Sequence, residues 1–88
     1  MMMKKLKLLD TVALLNPVPI DRLTLVEPDY ISINSLPSGQ VGTIVEVYEE
    51  GEEYHYLVEF ADTQGHEYTM ATLKAEELLL LQYELTVA

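Results

Sequence analysis

The chain has 88 residues, 49% of them hydrophobic and 23% charged, and a formal net charge of −10 from fifteen acids against five bases. That length holds one domain, residues 1–88, able to bury somewhat over ~60% of its unfolded surface, and leaves no room for a second. The lack of cysteine excludes disulfide staples, thiolate catalysis and cysteine-based zinc sites, and is compatible with a reducing cytoplasm, the expected location.

Three of the five bases crowd into Lys4, Lys5 and Lys7, leaving Arg22 and Lys74 for the rest of the chain. The folded body is therefore more acidic than the total implies. Such a surface repels phosphate backbones and anionic headgroups, so neither nucleic acid nor membrane is an expected partner, and a basic protein is.

In chain order, Met1–Leu9 has the positive flank of a signal peptide, but Asp10 interrupts its apolar run and no small-residue cleavage site follows. Residues 1–7 read as a ragged N-terminus to a first strand, Leu8–Leu15, in which Asp10 accepts turn or strand-end hydrogen bonds. Residues 16–38 contain Pro17, Pro19, Pro28 and Pro37 and read as one long loop, a length that is usually functional or an insertion.

Gln40–Tyr48 alternates as a strand with apolar residues on both faces. The stretch Glu49-Glu-Gly-Glu-Glu53 reads as a five-residue hairpin turn around Gly51. Tyr54, Tyr56, Val58 and Phe60 then alternate with His55, Leu57 and Glu59, the cleanest period-two signal in the chain. Ala61–Gly65 is a second turn, leading into Glu67–Leu73. Lys74–Glu77 has room for one helical turn before a last strand, Leu78–Leu81. That run of leucines is far short of the ~20 residues that cross a bilayer as a helix.

A strand, a long loop, three meandering strands, a helical turn and a closing strand predict an all-β fold, a small SH3-like five-stranded barrel. The segment Gly39-Gln-Val-Gly-Thr-Ile-Val-Glu-Val47 has a G-x-x-G-x-I-x-x-V spacing that resembles the glycine motif of KOW-type SH3-like domains. Its three-residue step from Ile44 to Val47 requires a bulge for both side chains to point inward. The chain also resembles the small bacterial family called domain of unknown function 4926, through Leu8–Leu15, Gly39–Val47, Tyr56–Phe60 and Asp62–Leu81. That resemblance implies the fold and transfers no activity. The segment 16–38 and the residues beyond Leu81 depart from the family pattern.

No constellation in the sequence carries catalysis. Ser32, Ser35 and Ser38 have no histidine at a fixed spacing, and a barrel this small offers no cleft for a carboxylate pair. If Tyr54–Phe60 pairs with Glu67–Leu73, His55 and His66 stand five or six positions apart, roughly 17 to 20 Å. One ion cannot bridge that distance, so the sequence predicts neither metal nor cofactor and a protein that is not an enzyme.

Protein interaction remains. Tyr48 and Tyr54 flank the turn containing Glu49, Glu50, Glu52 and Glu53, and two rings beside four carboxylates suit an arginine or lysine from a partner. Tyr30 is a second candidate contact, within the long loop after the first strand. The narrower readings are an antitoxin-like or immunity-like inhibitor of a basic toxin, and a non-catalytic stability subunit of a larger enzyme. Beyond Leu81 the alternation continues through Tyr83, Leu85 and Val87 as a C-terminal extension, 82–88, which either folds back on its own barrel or, in the reading adopted, crosses to a second copy in a homodimer; Leu78, Leu81 and Leu85 equally have helical spacing.

Overall fold

The computed structural model describes residues 6–25, 35–62 and 64–81. They form eight strands: β1 (Thr11–Leu14), β2 (Val18–Pro19), β3 (Leu23–Leu25), β4 (Ser35–Leu36), β5 (Val41–Glu50), β6 (Glu53–Ala61), β7 (Glu67–Lys74) and β8 (Leu78–Leu81). Two 3₁₀ turns, Ile20–Arg22 and Ala75–Glu77, are the only helical elements among them. The fold is all-β, and the helical turn before the last strand lies where the sequence places it.

Six strands make one sheet in the order β3-β7-β6-β5-β1-β8, and β2 pairs with β4 in a separate ribbon. The sheet is open in this order and has six strands where five were expected, the segment read as a continuous loop supplying β3 as well as β2 and β4. Val18 pairs with Leu36 across the ribbon, and Leu23 pairs with Ala71 at the sheet edge. The loop's tip, including Tyr30, lies outside the described residues.

The meander β5–β6–β7 forms the centre. On β6, Tyr56, Val58 and Phe60 are fully buried, as their alternation requires. They pack with Val12 and Leu14 of β1, Ile44 of β5, Leu73 of β7 and Leu78 of β8 in one apolar cluster. The ladder between β5 and β6 shifts register between Ile44 and Glu46. That bulge leaves Val45 unpaired and lets both Ile44 and Val47 reach the core, as the glycine-motif spacing demands. Gly42, opposite Phe60, is required for a different reason. A Cβ there would stand 2.7 Å from Val58 Cγ1 and 2.8 Å from the Phe60 ring, so the two side chains occupy the space that a side chain at 42 would need.

The first strand is shorter than the expected Leu8–Leu15. Asp10 N–H donates to the Lys7 carbonyl at 3.0 Å, and Lys7 N–H donates to Asp10 Oδ2 at 2.8 Å, closing a turn over Leu8 and Leu9. Asp10 thus takes the hydrogen-bonding part expected of it. Leu9 adopts φ +72°, a left-handed conformation usually left to glycine, and both leucines are exposed.

The two edges of the sheet meet at one corner. Arg22 immediately precedes β3 and Glu77 immediately precedes β8, and the guanidinium lies 2.7 Å from Glu77 Oε1. Its second nitrogen donates to Glu77 Oε2 and to the Thr72 carbonyl, both at 3.2 Å. The sheet therefore curls around its core and is fastened across the gap by an ion pair, with no ladder joining β3 to β8 among the described residues.

Candidate functional site

The acidic tip is set by the pairing of β5 with β6. The ladder runs through Glu49↔Tyr54 and Glu50↔Glu53, leaving Gly51 and Glu52 as a two-residue loop rather than the expected five-residue turn. Gly51 takes φ +60°, as the first central residue of a type II′ turn does. The shorter loop changes where the tyrosines point. Tyr48 is the cross-strand neighbour of His55, whereas Tyr54 pairs with Glu49; side chains alternate along a strand, so the two rings lie on opposite faces and do not stand together.

Tyr54 instead stacks on the buried Tyr56, with ring centroids 6.5 Å apart and planes inclined by 22°. These rings, with Glu52, Glu53, Lys74, Ala75 and Glu76, line a cavity of about 170 Å³. On the other face, Tyr48 borders a shallow groove with Val47, Glu49, Glu50, His55 and Thr72.

Glu50 and Glu53 are directly opposed like charges, an arrangement that costs stability unless a cation intervenes. His55 lies between them, with Nδ1 3.8 Å from Glu50 Oε1 and Nε2 3.7 Å from Glu53 Oε1. Lys74 Nζ stands 3.7 Å from the same Glu53 oxygen. These distances are too long for hydrogen bonds, so the Lys74 ammonium offsets part of the tip's charge without locking it.

The neighbouring Glu77 is held more firmly. The hydrogen bond from Arg22 holds its carboxyl below the ordinary range; burial opposes this, and an N–H bond from Lys74 at 2.8 Å adds a lesser lowering. The same pair raises the Arg22 pKa.

A second acidic pair lies away from the tip, where burial and then a hydrogen bond to Glu67 raise the Glu59 pKa. His66 sits in the β6–β7 turn, 3.7 Å from Asp62. Asp62 organises that turn by accepting the N–H groups of Gln64 and His66 on Oδ1, each at 2.9 Å. Among the described residues no group of three or more His, Cys, Asp and Glu side chains is placed to hold a metal ion.

Of the sequence candidates, Glu52, Glu53 and Tyr54 line the cavity at the tip, while Tyr48, Glu49 and Glu50 border the groove. Tyr83, Leu85 and Val87, like Tyr30, are outside the described residues. Sequence reasoning missed Tyr56 as the partner of Tyr54 and Lys74 and Glu76 as walls of the cavity. The register His55↔Lys74 brings the latter two to the tip, and the shift between Phe60 and Ala61 hid it, because counting outward from Ala61↔Glu67 sets His55 opposite Leu73 instead.

Residues 8–80 match the family described as Domain of unknown function (DUF4926). The chain belongs to that family. The match runs from the Leu8–Leu9 turn to Leu80 and so takes in the tip, both 3₁₀ turns, β1 to β7 and the first three residues of β8. No match to the chain was found among curated proteins or solved structures. No helix among the described residues is long and apolar enough to cross a membrane.

Proposed function

We propose that this DUF4926 chain is a non-enzymatic protein-interaction module of the cytoplasm that receives a basic side chain of a partner protein at the β5–β6 tip. The observation that carries this reading is the cavity in which the Tyr54 ring, backed by Tyr56, stands beside Glu52, Glu53 and Glu76. An aromatic face flanked by carboxylates attracts a guanidinium or ammonium through both its quadrupole and its charge. Lys74 already lies near Glu53, at a distance that leaves the contact exchangeable, so an incoming arginine exchanges one cation for another that makes better hydrogen bonds.

Nucleic acid fits this body poorly. Arg22 and Lys74, the two bases outside the N-terminal cluster, both face carboxylates, and a phosphate-binding surface needs unengaged bases in a row. The β5–β6–β7 meander followed by a 3₁₀ turn and β8 resembles the strand order of SH3-like domains, and that resemblance supports an interaction role. An inhibitor of a basic toxin is the narrower form of the same reading.

Titration of the isotopically labelled protein with a short arginine-containing peptide tests it by NMR. Shifts should centre on residues 52–56 and 74–76, weaken with salt, and disappear in a Tyr54→Ala, Glu53→Gln double variant. Shifts spread evenly over the acidic surface, or unchanged in that variant, refute the site.

A further inference from the structure

At the β5–β6 tip one side chain lies between the two faces. His55 borders the groove, while Glu53, one of the two acids it approaches, lines the cavity. Each ring nitrogen faces a carboxylate: Nδ1 stands 3.8 Å from Glu50 Oε1 and Nε2 stands 3.7 Å from Glu53 Oε1. A neutral imidazole has a single N–H and turns a lone pair toward one of those acids, whereas an imidazolium has an N–H for each. Both nitrogens can donate to their acids only when the ring carries two protons.

One of these acids is already contested. Lys74, the cross-strand neighbour of His55, places Nζ 3.7 Å from the same Oε1 of Glu53, so ring and ammonium address one oxygen. The titratable and charged groups facing the ring are Tyr48 and Glu50 from β5, Glu53 from its own strand and Lys74 from β7. Glu49 adds charge along the groove wall, and Glu52 and Glu76 add it along the cavity wall.

We infer that His55 is a proton-operated regulator of the cation cavity: the neutral ring leaves the tip's carboxylates to a basic partner, and the imidazolium competes with that partner for them. This rests on the reading of the cavity given above. Two effects act in the same direction. The charge of the ring repels an arriving guanidinium or ammonium, and its second N–H draws the Glu53 carboxylate toward the groove, away from the cavity it helps to line. Glu50 and Glu53 are both well exposed, so their carboxylates can swing in to close the remaining distance. The ring itself is 24% exposed and is reached by bulk protons. Imidazoles change charge between about pH 5 and 8, a range in which ordinary carboxylates and lysines keep theirs. Linkage makes the effect reciprocal: a cation in the cavity must make His55 harder to protonate by the same factor as the proton weakens the cation. His66 supplies a control within the chain. It sits beside Asp62 in the β6–β7 turn, at the end of β6 away from the tip.

NMR of both histidine rings from about pH 5 to 8, with and without the arginine-containing peptide, tests the inference together with the peptide's affinity at either end of that range. Acid should weaken binding roughly three- to fivefold, the peptide should lower the His55 midpoint and leave that of His66 in place, and His55→Gln should make the affinity independent of pH over the range. Equal affinity at both ends, an acid effect that survives in His55→Gln, or a His55 midpoint that the peptide does not move overturns the regulator and leaves the cavity standing. A peptide that binds at neither pH refutes the cavity, and the regulator with it.

Discussion

β5 joins two regions built on different principles. Its first residues, Val41–Thr43, pair with the uncharged β1, beside the leucines of β8, while its last, Tyr48–Glu50, climb into a tip of four glutamates. At the β1 end shape decides: Gly42 exists because Val58 and Phe60 fill its space. At the tip conformation and charge decide, since Gly51 has open space around it but holds φ +60°, and the carboxylates are spaced by weak contacts to His55 and Lys74. A small acidic protein can thus keep its repulsion at one end of a strand and its apolar contacts at the other.

The two glycines give the sharpest break of that comparison. Gly42→Val should cost about 2–3 kcal/mol by overpacking, lowering Tm by roughly 10 °C or more. Gly51→Ala should cost only about 1 kcal/mol, from left-handed strain alone. Thermal melts of both variants check the order; equal losses would mean that the core at Gly42 can give way.

Acid should act next, through the corner ion pair. The Glu77 pKa is lowered in the fold, so its contribution is present above the ordinary carboxylate range and is lost as pH falls through the folded value. Urea unfolding of Glu77→Gln should show a deficit at pH 7 that disappears in strong acid. The Glu59 pair runs in the opposite sense. Its raised pKa means that ionisation is less favourable in the fold, so the pair weakens the fold at neutral pH and the cost is relieved on acidification. Glu59→Gln should therefore raise Tm modestly at pH 7 and leave it unchanged in acid. The smallest effect expected is that of salt: moderate sodium chloride should raise Tm slightly, because repulsion among the tip's glutamates outweighs their weak pairings.

Where the sequence was periodic it was readable. The alternation of Tyr54–Phe60 and the Leu78–Leu81 run lie within the strands observed, and the step from Ile44 to Val47 implied the bulge that places both. Strands β2, β3 and β4 were not readable, since two or three residues cannot display a period and Pro17 and Pro19 signal interruption. Their existence depends on long-range partners, Val18 with Leu36 and Leu23 with Ala71. The Lys7–Asp10 turn was hidden because leucine carries no signal for a left-handed conformation. At the tip the composition was legible and the geometry was not. Centring the turn on Gly51 predicted five residues and facing tyrosines, whereas placing Gly51 first in a type II′ loop separates the rings and gives Tyr54 to Tyr56.

The pairing of β1 with β8 has a mechanical consequence. Thr11 lies opposite Leu81 and Leu14 opposite Leu78, so the start of β1 and the end of β8 stand at the same end of their shared ladder. A pull applied between residues 11 and 81 would load the Thr11–Leu81 pair first and peel the ladder one rung at a time, rather than shear all its hydrogen bonds at once. A pull on β8 from that end would therefore unzip it from β1, whereas a pull on the chain before β1 must first release the Leu9 and Asp10 bonds to Ile44 and the buried Leu6.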